Sequence, residues 1–360
     1  VQGHRHDALH DARVVREYLA QAERAARLEH PAVGRVLDLV RAGDDTFVVR
    51  ELVRGVSLAA IIAQIGDLGV QSVAVKYAVM IASSAAAALH HAFGTKDSSG
   101  LPLEVVHAGV HPRNLFITMD GGVVVTDFGL TRALRHTTRG EVPVTKGRAL
   151  YFSPEQWRGQ EPTHRADVFS LGVVLWELLT GRRLHDRADP RVIVHAACVE
   201  PAPPPSSLQQ QAPREIDEVT RRALEKDPAG RYVTGDEMHR VLEAYLAAHA
   251  KDASPETLAG YVAALLPEQW KSWQMLTRAE AAGDEARVLE LANLIFKGRR
   301  TNSDVVTTQH VAAKVKPLTP RAPASTAPIP GPVAPPSAEK PALLPEPAPA
   351  TEGRELEIID

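Results

Sequence analysis

Cysteine occurs once in the 360 residues, at Cys198, so no intrachain disulfide can staple this chain and a disulfide-framed secreted fold is excluded. Its thiol stands in the apolar stretch 192–199, where packing is the expected role, and a reducing, cytoplasmic compartment suits a single thiol. A surplus of positive charge is lacking too. The formal net charge of −3 argues against a nucleic-acid binder or a protein held to anionic membranes by its charge. No apolar run is long enough to span a bilayer. Residues 77–93 are interrupted by Ser83, Ser84, His90 and His91, and 168–179 is short, contains Glu177 and follows Asp167; both read as buried helices. His4, His6 and His10 crowd the start, but no second ligand cluster accompanies them, so they read as solvated residues. No signal peptide is recognisable, and a first residue of Val1 rather than Met reads as a processed or fragmentary start, leaving any membrane association to regions outside this sequence.

What is present is an ordinary globular composition, 44% apolar and 24% charged, over a length sufficient for a two-lobed domain with appendages. Apolar residues at three- and four-residue spacing (Val14, Val15, Tyr18, Leu19, Ala22, Ala25) predict a helix ended by His30-Pro31. Runs rich in β-branched residues at 33–40 and 46–52 predict a strand pair around residues 42–45. A long helix rich in small residues follows at 72–93. Two short strands around a Gly121-Gly122 turn are expected within 105–125. Beyond Glu155 the pattern is helical to about Ala250, broken by the prolines of 201–205. Residues 255–300 predict two or three amphipathic helices, with the Trp270/Trp273 stripe packing onto the body below. From 301 to 360 periodicity vanishes and proline alternates with alanine, the composition of an extended disordered linker.

The strongest chemical signal is Val125-Thr126-Asp127-Phe128-Gly129 following Asn114. Phosphoryl transfer needs metal ions to neutralise a triphosphate, and such ions take oxygen ligands. An aspartate just after a strand, with a glycine to let the chain turn, supplies one ligand, and an asparagine carbonyl supplies another. An Asp-Phe-Gly triplet alone is common. Here Ser153-Pro154-Glu155, then Asp167-Val168-Phe169-Ser170-Leu171-Gly172, then Asp227-Pro228-Ala229-Gly230-Arg231-Tyr232 follow in order. That order and spacing resembles the bacterial branch of the eukaryotic-type (Hanks-type) serine/threonine protein kinases over residues 1–250.

The resemblance implies an α+β, two-lobed fold with an incomplete upper sheet (1–55), a helical lower lobe (56–250), a helical appendix (255–300) and a disordered tail (301–360). It implies ATP and Mg2+ as ligands. Asp127 and Asn114 stand at the metal-binding positions, and Glu51 and Val53 at the hinge positions whose backbone meets adenine. His107, Phe128, Gly129, Asp167 and the ion pair Glu155–Arg231 stand at positions of mainly structural role.

The departures bear on activity. Where the family reads His-Arg-Asp, four residues and Asn, this chain reads His107-Ala108-Gly109-Val110-His111-Pro112-Arg113-Asn114. The base position is therefore Gly109, which has no side chain to receive or orient a hydroxyl proton; loss of a general base lowers rates by about 10²–10⁴. His111 stands at the family's lysine position. Ala108 replaces the arginine that would read phosphorylation at Thr137, Thr138 or Thr145. In the upper lobe the regulatory-helix glutamate maps to Gln21, with Glu23 nearby, and the nucleotide-binding lysine maps to Gln2. Arg50 maps to the residue guarding the back of the nucleotide pocket, where two readings stand: a guanidinium paired with Asp127 or a phosphate, or a strand slip that lets it snorkel to solvent. The solvent-facing reading is the preferred expectation. The chain is thus identified as a degenerate, pseudokinase-like family member whose output is a surface presented to protein partners, with a low-activity serine/threonine kinase as the alternative.

Overall fold

Every residue from Ala166 to Thr180 is buried, so helix α4 (His164–Thr180) presents no face to solvent beyond its first residues and forms the axis around which the lower half packs. Its first turn is capped by Thr163, whose hydroxyl accepts from Arg165 N at 3.3 Å. The computed structural model describes residues 12–42, 45–129, 146–185 and 189–297. These belong to one compact unit, Val1–Val315, while a second unit, Lys316–Asp360, lies outside the described residues. So do Gln2, His4, His6, His10, Thr137, Thr138, Thr145 and the segment 301–360.

Helix α3 (Val75–Gly94) lies between α4 and α7 (Gly235–His249). Its buried Ala78, Ala82, Ser83, Ala85, Ala86, Ala88 and Ala92 are small enough to let both neighbours approach closely. Helices α5 (Pro190–Cys198) and α6 (Arg214–Ala223) complete this half. On top lies an antiparallel sheet in the order β3 (Gly55–Ser57), β4 (Leu115–Thr118), β5 (Val123–Val125). Ser57 also caps α2 (Leu58–Asp67), its hydroxyl accepting from Ala60 N at 3.3 Å. A bridge between Val33 and Val125, with Gly34 N donating to Val125 O at 2.8 Å and Val125 N to Ala32 O at 2.8 Å, ties the segment after His30-Pro31 to β5.

Above this sheet, among the described residues, a ribbon of two antiparallel strands, β1 (Val36–Ala42) and β2 (Asp45–Arg50), is covered by α1 (Ala12–Ala25). Tyr18 and Ala22 of α1 pack against Val48 in a small core separate from the main one. The register shifts between Val36 and Asp38, and Val36 stands opposite Arg50.

Helices α8 (Pro255–Leu265), α9 (Pro267–Ala281) and α10 (Glu285–Lys297) pack on the upper edge of the lower half: α8 meets α2 and β4, and α9 meets β3. Gly121, at φ +83°, turns β4 into β5 directly under this appendix, and a Cβ there would fall 1.7 Å from Pro255 O. The two tryptophans of α9 do not act as one stripe. Trp270 joins the main core with Leu258, Val262 and Leu266, whereas Trp273 builds a second core with Leu276, Ala279 and Leu291 beside Met119. The expectation of a single face packed onto the lower lobe is corrected: α10 folds back and supplies the other wall. Among the described residues no helix is long and apolar enough to cross a membrane.

Candidate functional site

The loop between α3 and β4 is fixed from below by one carboxylate. Asp167, in the first turn of α4 and 3% exposed, accepts His107 N at 2.8 Å and Ala108 N at 2.7 Å. Burial pushes its carboxyl up to about 7, although both N–H donors favour the ionised form. Ala108 is held at φ +59°, in the left-handed region that a side chain disfavours, and Gln156 Nε2 donates to its carbonyl at 2.9 Å. The loop is over-determined at this point, which is how such strain persists.

Asn114 closes the loop from the other end. Its amide nitrogen donates to Gly109 O at 2.8 Å, and its Oδ1 accepts His111 N at 3.0 Å. His107 Nε2 stands 2.9 Å from Thr126 O, and its ring lies 4.9 Å from that of Phe128, so loop and β5 exit are locked together. Burial lowers the His107 pKa to about 4 and that of His111 to about 3; the positive Arg148 adds to the second shift. Both imidazoles are therefore neutral near pH 7. His111 thus brings no fixed charge to the loop.

Asp127 follows β5 at φ +72°, held by Thr126 N donating to Asn114 O at 2.9 Å. Arg50, the last residue of β2, points inward and pairs with it: Nη1 contacts Asp127 Oδ1, with side-chain exposures of 8% and 25%. The solvent-facing expectation for Arg50 is thereby overturned. The register does shift beside it, between Val36 and Asp38, yet Arg50 pairs opposite Val36 and Glu51 N donates to Arg35 O at 2.9 Å, so the shift does not turn the guanidinium out to solvent. Burial lowers the guanidinium's basicity, Tyr18 opposes this, and the positive Arg148 adds to it.

Gln21 is 3% exposed on α1, bonded through Nε2 to Glu17 Oε1 at 2.7 Å. It packs on Gly129, which sits at φ +72°, where a Cβ would come 3.0 Å from Gln21 Oε1. Gln21 thus presents an amide to the Asp-Phe-Gly turn. Below, Arg231 (1% exposed) binds Glu155 through two bonds of 2.7 and 2.8 Å and also donates to Glu225 O and Arg165 O. Burial alone would raise the Glu155 pKa; the bonds from Arg231 outweigh it and hold the carboxyl below its ordinary value. Glu51 and Val53 lie in the segment joining the two strand layers. Among the described residues the Val53 N–H donates to nothing. Arg54 bonds Glu280 of α9 at 2.9 Å, fastening the appendix to this segment.

Two residues escape a motif-based reading. Gln156 braces the loop through the Ala108 carbonyl. Arg148, half-buried in the one-turn helix Lys146–Ala149, lies near enough to Arg50, Arg113 and His111 for their charges to interact. The only sequence signal for Arg148 is its place in the basic pair Lys146/Arg148 shortly before Ser153-Pro154-Glu155.

These residues do not fit a divalent metal. Magnesium asks for several oxygen ligands in an octahedron. Asp127 is already paired with a guanidinium, and the buried Asn114 oxygen accepts a backbone N–H. Among the described residues no cluster of three or more His, Cys, Asp or Glu side chains could hold a metal ion.

Residues 4–243 match the family described as protein kinase domain. The chain is 33% identical over 230 residues to a probable serine/threonine-protein kinase of Clostridium perfringens, covering 64% of this chain and 32% of that protein. It is 30% identical over 242 residues to the tyrosine-protein kinase MasK of Myxococcus xanthus (67% and 37%) and 34% identical over 257 residues to the serine/threonine-protein kinase PknB of Mycolicibacterium smegmatis (69% and 39%). The chain thus spans less than two-fifths of the length of these relatives.

Proposed function

This chain belongs to the protein kinase domain family, and we propose that it is a catalytically impaired member, a kinase-fold regulatory or interaction module of the serine/threonine branch acting in signalling. The observation that carries this reading is Gly109 at the base position of a loop that is otherwise intact. Asp167 and Asn114 hold the loop's backbone at both ends, so the deficiency is one of chemistry and not of folding. Among the described residues the carboxylates nearest it are each engaged elsewhere: Asp127 by Arg50, Asp167 by two backbone N–H groups, Glu155 by Arg231. None takes the place of the missing base.

Nucleotide remains a ligand in this reading. The Val53 N–H is available at the hinge, and almost any side chain serves there because the backbone makes the contact. The regulatory output is then the surface presented to a protein partner, in a cytoplasmic setting that suits the single cysteine. A second reading, a low-activity kinase transferring the ATP γ-phosphate to protein hydroxyls, is favoured by the loop's intact backbone, since positioning supplies much of the catalysis in this chemistry.

Phosphotransfer from labelled ATP in magnesium, with the chain itself and a generic protein as acceptors, separates the two. Wild type is expected at the no-protein background. Turnover that vanishes in Asp127→Asn would establish the kinase reading instead.

A further inference from the structure

The contact between Arg50 and Asp127 puts a fixed cation where the family places a metal. We infer that Arg50 is the resident counter-ion of Asp127, that it excludes divalent metal from this cleft, and that the cleft takes nucleoside polyphosphates free of magnesium. The inference rests on the reading above that nucleotide is a ligand, and goes beyond it in naming the ionic form bound and the residue that selects it.

The argument is one of charge and position. Arg50 ends β2, in register with Val36, and its side chain is almost wholly buried, so the guanidinium is held by the fold and not borrowed from a mobile surface residue. Asp127 follows Thr126, whose backbone N–H is tied to Asn114 O. A divalent ion arriving at Asp127 would sit against a like charge at contact distance in a partly desolvated site, where repulsion is screened far less than in water. It would also find the Asn114 oxygen accepting the His111 N–H.

The ligand's own charge points the same way. Magnesium accompanies a triphosphate in a kinase cleft because the protein alone does not neutralise it. Here the protein supplies more positive charge. Arg148, half-buried, lies within electrostatic reach of Arg50 and adds a positive charge beside the pair. A metal-free polyphosphate therefore matches the cleft better than its magnesium complex, and a guanidinium offers planar, multiple N–H donors suited to phosphate oxygens.

The test is a thermal-shift and calorimetric titration of the whole chain with ATP and ADP, in excess EDTA and in excess magnesium, together with Mn2+ alone read by electron paramagnetic resonance. Three proteins are compared: wild type, Arg50→Met, and the charge-balanced Arg50→Met/Asp127→Asn, which guards against a folding defect from an unpaired buried aspartate. Wild type is expected to bind nucleotide in EDTA at least as tightly as in magnesium, and to leave Mn2+ free. Arg50→Met is expected to acquire Mn2+ binding and a preference of about tenfold for the magnesium complex, both absent in the double variant. Wild-type binding that requires magnesium overturns the inference and leaves the nucleotide reading standing. No shift with either nucleotide under any condition overturns both. Equal Mn2+ binding by wild type and Arg50→Met also overturns the counter-ion role.

Discussion

Asn114 donates its side-chain amide to the carbonyl oxygen of Gly109 at 2.8 Å, so the residue that lacks a side chain is positioned by its backbone. This bond makes the α-carbon of Gly109 a defined point in space rather than part of a slack loop, and gives substitution there a clear meaning.

Gly109→Asp by itself is expected to leave phosphotransfer close to background. A general base contributes about 10²–10⁴ in rate when the rest of the machinery works. Here Asp127 remains paired with Arg50 and His111 remains neutral near pH 7, so the added carboxylate acts on a site without its electrophilic partners. A radiolabel assay comparing the variant with wild type checks this; a rise of a hundredfold or more would show that the base was the only missing part.

Breaking the Glu155–Arg231 pair from one side is expected to destabilise the fold severely. Both groups are buried, and removing one leaves the other charged without its partner, which costs about 3–5 kcal/mol. Glu155→Ala should lower the urea midpoint at unchanged slope, whereas Glu155→Gln/Arg231→Met, which removes both charges and keeps volume, should recover a substantial part of the loss.

Acid should weaken the fold through two imidazoles. His107 and His111 are held at about 4 and about 3, below the ordinary 6.5, so the unfolded chain takes up protons that the folded chain refuses. Their penalty is absent above pH 6.5, grows as pH falls through that value, and is complete below the folded values. Asp167 works in the opposite direction. Its pKa, raised to about 7, makes a contribution that is full below the ordinary carboxylate value and is lost as pH rises toward 7. Two groups outweigh one, so the urea midpoint should fall between pH 6.5 and 4. His111→Leu should flatten that fall and Asp167→Asn should steepen it.

Trp273→Ala is expected to cost about 3–5 kcal/mol, as a large ring is removed from a core with little room to collapse. Trp273 is 1% exposed within the small cluster of α9 and α10, so the loss should appear first as protease cleavage of the appendix while the α3–α4–α7 body persists. Simultaneous loss of both would show that the appendix and body unfold as one.

Much of this site can be read from order and spacing, because Asp127, Glu155, Asp167 and Arg231 lie at fixed intervals along a chain whose lower half packs around one buried helix. Arg50 could be placed in register but not in orientation. Whether the last side chain of a strand turns inward depends on what faces it across the layers, here an aspartate 77 positions away in sequence. Short-range period also failed for β3, whose three residues are too few to show alternation. For Trp270 and Trp273, a three-residue spacing fixes a shared helix face but not the seam between two partner surfaces that runs along it.

The central claim, that this site does not transfer phosphate, is tested most directly by single-turnover measurement. Stoichiometric protein and γ-labelled ATP are mixed in magnesium, and label on protein is counted in wild type and Asp127→Asn. The account expects both to be indistinguishable from a blank without protein. Label that accumulates on wild type and disappears in Asp127→Asn would contradict it.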